Sequence, residues 1–179
     1  LALPGLGQPW VTSQPKSCRA WAGESAVFHA ELTGEFPIAC QWFHEGEAIP
    51  GATKPWLMLT NVDVLNTGTY FLMATNALGQ TATQPATLTV SPEPLITSSP
   101  QVQTVFAGRS TCFSIATLGA QPLSFQWRLN GTNLLEGGRF TGTQSATVCL
   151  ANLGYEDMGN LSVIVSNAYG SATSAPASV

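Results

Sequence analysis

Gln41-Trp42-Phe43-His44-Glu45-Gly46 returns 85 residues later as Gln126-Trp127-Arg128-Leu129-Asn130-Gly131, and this echo decides how the chain folds. Ala22-Gly23, Gly34 and Pro37 precede the first stretch at the spacing with which Ala107-Gly108, Gly119 and Pro122 precede the second. Beyond it the offset grows to 91, and Asn61, Gly68, Asn76-Ala77, Gly79 and Pro85 reappear as Asn152, Gly159, Asn167-Ala168, Gly170 and Pro176. A shared frame of Gly, Pro, Asn and one Trp marks two copies of one small domain. The growth in offset falls around Gly137-Gly138-Arg139-Phe140-Thr141-Gly142, which reads as a longer loop tip in the second copy.

Periodicity inside each copy is that of strands. In Ser25 to Leu32 the residues Ala26, Phe28, Ala30 and Leu32 share one face, while Ser25, Val27, His29 and Glu31 share the other. The second copy alternates likewise, with Phe113 and Ile115 on one face and Cys112 and Ser114 on the other. Further strands are predicted over Ile38 to Phe43, Trp56 to Thr60, Tyr70 to Thr75 and Thr81 to Val90, separated by turn clusters such as Asn66-Thr67-Gly68. No stretch carries a helical period. The pattern predicts an all-β protein of two sandwiches in tandem.

Composition excludes several classes of function. Only 9% of the residues are charged, against roughly 25% in an average soluble domain, and Thr and Ser take their place. A net charge of −4 provides no electrostatic footprint for nucleic acid or an acidic lipid surface. No apolar run reaches the roughly 18 residues that would span a bilayer, so membrane insertion is not expected.

The framework resembles a known family. Gly23, Gly34 and Trp42, then Leu57-Met58-Leu59, Asn61-Val62, Gly68-Thr69-Tyr70 and Asn76-Ala77-Leu78-Gly79, are similar to an immunoglobulin-like domain of the I-set type. The second copy supplies Trp127, Val148-Cys149-Leu150, Asn152-Leu153, Asp157-Met158-Gly159 and Asn167-Ala168-Tyr169-Gly170. Leu123 to Gly131 and Val163 to Ser171 are most similar to the Ig-like repeats of secreted bacterial surface proteins. The resemblance implies two immunoglobulin-like β-sandwich domains, over 9–91 and 92–179, behind an apolar extension over 1–8, with Trp42 and Trp127 as the core tryptophans. It also places the family's usual inter-sheet disulfide at Ala30 and Leu72, and at Ile115 and Val163, where apolar packing must replace the bridge. Tyr70 takes the position of the family's tyrosine corner, which Leu161 holds in the second domain.

The four cysteines lie elsewhere. If Phe113 and Val148 face each other, as family pairing implies, Cys112 and Cys149 become opposed outward neighbours and a cross-strand disulfide is expected; two free thiols are the alternative. Cys18 and Cys40 both read as inward, on strands not expected to be adjacent. For them a mutual bridge, buried free thiols and an intermolecular bond all stay open.

No catalytic residues, metal site or cofactor are expected. His29 reads as an outward strand residue and His44 as a turn neighbour, and neither lies near a strained serine elbow. Glu45, Glu47 and His44 read as a charged hairpin tip rather than a cation site, and Trp10, Trp21 and Trp56 as partly packed rather than as a sugar platform. Sequons stand at Asn130-Gly131-Thr132 and Asn160-Leu161-Ser162.

The predicted function is therefore non-enzymatic: an extracellular or cell-surface structural or adhesive module. Leu1, Ala2, Leu3 and Leu6 form an apolar, uncharged strand that nothing inside the first domain calls for. The last strand, with Val179 aligned to Leu88, stops two residues short of its counterpart, which runs to Val90. Together these suggest self-association, one subunit donating its N-terminal strand to the next in a head-to-tail filament. The alternative is a spacer or a module of a larger secreted or surface protein that binds a cell-surface protein or glycan.

Overall fold

Alternation of apolar and polar residues gives each strand one face to bury, and in both repeats the buried faces close over a single indole. The computed structural model describes residues 7–179. It is all-β and immunoglobulin-like, and it divides into two compact units, Leu1–Ser91 and Pro92–Val179. The extension residues Leu1, Ala2, Leu3 and Leu6, expected to form a subunit-contact strand, lie outside the described residues.

In the first unit one layer is built from Trp10–Ser13 on Glu31–Thr33 and from Ala26–His29 on Trp56–Leu59, all antiparallel. The other layer runs in the order Cys18–Trp21, Ala86–Ser91, Gly68–Asn76, Ala39–His44, Glu47–Ala48, with Gly79–Ala82 also on Gly68–Asn76. Among the described residues only the contact of Cys18–Trp21 with Ala86–Ser91 is parallel. Trp42 is 0% exposed between the layers, opposite Leu72 and beside Phe28, which in turn stacks on Tyr70. Its indole N–H donates to the Lys54 carbonyl at 2.9 Å, so the one polar atom of the core residue is satisfied.

The second unit repeats this plan. Leu95–Ser98 pairs with Ala116–Leu118, Thr111–Ser114 with Thr147–Leu150, and Ser124–Leu129 with Asn160–Asn167. Trp127 is 0% exposed, and its indole donates to the Ser145 carbonyl at 2.8 Å. Gln41 and Gln126, each just before its Trp, donate across the hairpin to Ile49 and Leu134 carbonyls. Ala30, Leu72, Ile115 and Val163, where the family's bridge would stand, are all buried apolar residues.

An asparagine holds the incoming chain of each domain. The Asn76 amide donates to the carbonyls of Gly7 and Glu35, and that of Asn167 to the carbonyls of Pro92 and Ala120. The side-chain oxygens accept from the Leu78 and Tyr169 amides in their own hairpins. The backbone passes so close here that a Cβ on Gly34 would lie 3.0 Å from Pro9 Cα, and one on Gly119 3.0 Å from the Glu93 carbonyl oxygen. Both glycines also have positive φ, at 146° and 136°, which other residues rarely adopt.

Several details differ from the sequence reading. The strand expected over Thr81 to Val90 is broken into Gly79–Ala82 and Ala86–Ser91. Pro85 has no N–H to give a ladder, and the Thr83 hydroxyl replaces a backbone acceptor by taking the Leu72 N–H at 3.0 Å. Ser174 does the same for Val163. Short 3-10 turns form at Val64–Asn66 and Tyr155–Asp157, where no helical period was visible. The loop read as a mere tip anchors one of these turns. Arg139 makes a two-point contact with the buried Asp157 carboxylate, at 2.6 and 2.9 Å, and Asp157 also accepts from the Gly154 amide.

Cysteine placement is equally specific. Cys112 and Cys149 stand directly opposite each other and are disulfide-bonded. A mutual bridge between Cys18 and Cys40 is excluded, because two strands, Ala86–Ser91 and Gly68–Asn76, separate theirs within one sheet. At about 4.8 Å per strand that spacing is roughly 14 Å, twice the Cα separation a disulfide tolerates. Both are free, half-buried thiols, and burial raises both pKa values.

Replacing Cys112 and Cys149 together by Ala is expected to cost the second domain about 2–4 kcal/mol, read by urea unfolding, with the first domain unchanged. Asn167→Ala leaves two carbonyls and the hairpin amides without their partner. It should destabilise the same domain by about 1–3 kcal/mol in the same measurement.

Candidate interaction surface on the first domain

The outward residues of the two repeats differ in chemical character around cores that both stay apolar. In the first domain Val27 opposes Met58 and His29 opposes Trp56 across the pair Ala26–His29 and Trp56–Leu59. All four side chains point away from the core, because Ala26, Phe28 and Leu57 point into it. The equivalent pairs of the second domain are Cys112 with Cys149 and Ser114 with Thr147. One domain thus uses this outer face for a covalent cross-link and hydroxyls, the other for an apolar and aromatic surface.

The patch extends to both sides. Trp10 opposes Thr33 in the neighbouring strand pair and is 65% exposed, while Trp56 is 51% exposed. Both are partly packed, and each leaves half or more of its surface to solvent. Next to Trp56 a cleft of about 370 Å³ opens, lined by Leu32, Phe36, Ile38, Cys40 and Pro55 with His29 and Glu31 at its rim. Phe36 is 80% exposed. The opposite outer face of this domain carries a second aromatic pair, Phe43 and Phe71, stacked 4.9 Å apart, where the second domain has Arg128 opposite Ser162.

The polar residues named from sequence are occupied otherwise. His44 stacks on Tyr70 at 4.4 Å and its Nε2 lies 3.3 Å from the Thr67 carbonyl. Glu45 accepts from the Thr69 amide and hydroxyl, and these bonds hold its carboxyl below the usual range. Among the described residues no three His, Cys, Asp or Glu side chains gather as a metal-ligand set. Asn130, the first sequon asparagine, is committed to the turn: its oxygen accepts from the Asn160 amide and its nitrogen donates to the Met158 carbonyl. Leu161, inside the second sequon, is fully buried.

A second cleft, of about 350 Å³, lies in the other domain along Val102, Val105, Leu153, Tyr155, Met158 and Val179. In the first domain the corresponding edge is covered by the parallel contact of Cys18–Trp21 with Leu88 to Ser91. In the second, Gln103 to Ala107 forms no strand and the last strand is Ala177–Ser178.

Comparison with known proteins places the fold in a family context. Residues 94–177 match the immunoglobulin I-set domain. The chain is 24% identical over 170 residues to neuroglian of Drosophila melanogaster, covering 90% of this chain and 13% of that protein. It is 27% identical over 187 residues to human roundabout homolog 3, covering 92% and 13% respectively. Among solved structures it is similar to an I-band fragment of titin, with 25% identity, a TM-score of 0.49, and coverage of 96% of this chain and 65% of that one. The chain therefore spans about an eighth of the length of each of these two relatives. Those relatives are animal proteins, so the bacterial part of the sequence resemblance finds no counterpart in them. No helix is long and apolar enough to cross a membrane among the described residues.

Tyr70 yields a test of the first domain. Its hydroxyl donates to the Asn66 carbonyl at 2.7 Å. Burial pushes its phenol up to about 12, and Cys18 and Glu45 add to the shift. A phenol whose folded pKa lies above its unfolded value contributes stability that is complete below about pH 10 and is lost as pH rises toward 12. Alkaline melts should show the first domain unfolding ahead of the second, which has Leu161 at this position. Tyr70→Phe should lose about 1 kcal/mol at neutral pH but flatten the alkaline slope.

Proposed function

We propose that the chain is a non-enzymatic extracellular or cell-surface module, structural or adhesive in role, whose first domain makes the contacts and whose second domain acts as a stiffened support. The observation that carries this reading is the divergence of one face. At equivalent outward positions the first domain exposes Val27, Met58, Trp56 and His29, and the second places a disulfide, Ser114 and Thr147. Surface apolar residues in a contiguous group favour association, and aromatic residues dominate such contacts. A disulfide at an exposed strand pair suits an oxidising compartment.

The finer form of this proposal is a head-to-tail filament. In it the apolar segment Leu1, Ala2, Leu3 and Leu6 of one copy would add as a strand to the sheet of the next. The exposed Trp10 and Trp56 favour a second reading, a module that binds a cell-surface protein or glycan within a larger secreted protein. A bacterial surface origin rests on the phrases Leu123 to Gly131 and Val163 to Ser171 alone.

Light scattering and negative-stain microscopy separate these readings. The comparison uses the intact chain, a variant lacking residues 1–6, and a Trp56→Ser, Met58→Ser variant. Truncation stops at residue 6 because the Gly7 carbonyl is bonded by Asn76. Filaments that vanish on truncation establish strand donation, whereas assemblies that vanish only in the double variant establish contact through the outer face. Monomers in all three proteins would reject self-association and leave the ligand-binding module, to be identified on glycan and surface-protein arrays.

A further inference from the structure

The two sequons meet at one turn, and the fold treats their asparagines differently. Asn130 follows the strand Ser124–Leu129 and Asn160 opens the strand Asn160–Asn167 beside it. The Asn130 side chain is part of the turn: its φ is 50°, its oxygen accepts from the Asn160 N–H at 2.9 Å, and its nitrogen donates to the Met158 carbonyl at 3.3 Å. The first domain shows that this is a structural post, because Glu45 stands there, also at a φ of 50°, and its carboxylate accepts from the Thr69 N–H in the same way. Asn160 has Thr69 as its counterpart, so an asparagine at that position is not shared framework. Its backbone serves the turn, but among the described residues its exposed side-chain amide makes no hydrogen bond. Leu161 and Val163, both 0% exposed, set the phase of the strand, so Asn160 and Ser162 project together from the outer face.

We propose that Asn160 carries an N-linked oligosaccharide and that Asn130 does not. Asn160-Leu161-Ser162 has the acceptor pattern, and the donor is an oligosaccharide held on a lipid diphosphate. Asn160 Nδ2 bonds to the anomeric carbon, the bond from that carbon to the diphosphate oxygen breaks, the lipid diphosphate leaves, and the amide gives up one of its two protons. Transfer takes place on the extended chain, where Leu161 is accessible. Folding then buries Leu161 and leaves the modified amide in solvent with no bond broken. A sugar on Asn130 Nδ2 would instead crowd the nitrogen that bonds Met158, where the amide lies so close to Gly159 that even a Cβ would strike it. The surroundings of Asn160 suit a hydrated glycan: Ser178 is its partner across the last strand, and Ser162 lies opposite Arg128. The corresponding outer face of the first domain carries the stacked Phe43 and Phe71 and has no acceptor asparagine at Thr69. The sugar therefore covers the domain proposed as the support and leaves the contact domain bare. The inference rests on the extracellular reading of the chain.

The test expresses the full chain behind a cleavable secretion signal in cultured animal cells and reads the product by intact mass and by sequencing its glycopeptides. One sugar, removed by peptide N-glycosidase, is expected on Asn160. Asn160→Gln should abolish it without lowering the melting temperature, because the side chain bonds nothing in the fold. Should that variant fail to fold, Ser162→Ala decides, since it keeps Asn160 and removes the hydroxyl that the transferase requires; it too should lose the sugar. Asn130→Gln should keep the sugar on Asn160 and lower the melting temperature of the second domain, because the bonds to Met158 and Asn160 go with it. A secreted chain whose Cys112 to Cys149 bridge has formed but whose Asn160 is bare, or whose Asn130 carries a sugar, overturns the proposal and leaves the extracellular reading standing. A chain retained inside the cell with Cys112 and Cys149 unpaired overturns the extracellular reading and the proposal with it.

Discussion

One fully buried indole per domain organises everything around it. Trp42 and Trp127 sit at 0% exposure between layers that no inter-sheet disulfide ties together, so packing alone must hold the sandwich closed. Burying a tryptophan without an acceptor for its N–H is costly, and the acceptor is a carbonyl at Lys54, in the loop that crosses to the opposite layer, or at Ser145, in the turn between Phe140–Thr141 and Thr147–Leu150. The preceding glutamine ties the same strand to the hairpin beyond it. Position, depth and orientation of the strand are thus set together, and the facing residues Leu72 and Val163 need only be apolar and the right size.

With the inside so constrained, the outside is where the two domains part. The pair of positions that holds Cys112 and Cys149 in one holds Val27 and Met58 in the other. Arg128 and Ser162 replace the stacked Phe43 and Phe71. The second domain adds the Arg139 to Asp157 ion pair under its longer loop, while the first closes the equivalent region with a tyrosine hydroxyl. Two means of bracing the same corner, one ionic and one phenolic, leave the second domain covalently and electrostatically reinforced and the first with more apolar surface.

How much of this could be read from the chain follows from what each residue type demands. Gly34, Gly119, Asn76 and Asn167 were legible as framework because backbone geometry leaves few substitutes, and strand alternation was legible because burial has period two. Pro85 and Thr83 signalled a break in the final strand, yet the alternation of Thr81 to Val90 concealed it. Alternation says which way Cys18 and Cys40 point, and the family resemblance that their strands are not neighbours, but neither gives the distance between them, so the pairing stayed open until the two intervening strands were placed. The Arg139 and Asp157 pair was missed because the path of an inserted loop has no periodic signature. The cleft had a signal that alternation does not carry: the change from Phe125 to Cys40 between the repeats is a loss of volume at an inward position.

The asparagine bonds to Gly7 and Pro92 have a consequence for how such a protein can be assembled and reassembled. Each domain specifies the path of the residues that lead into it, using a side chain from its own far hairpin rather than anything contributed by what comes before. The junction is therefore portable. A segment cut just ahead of Gly7 or Pro92 carries its own inlet, so whole domains can be duplicated, reordered or grafted behind a foreign sequence and still receive the chain at the same point and in the same direction.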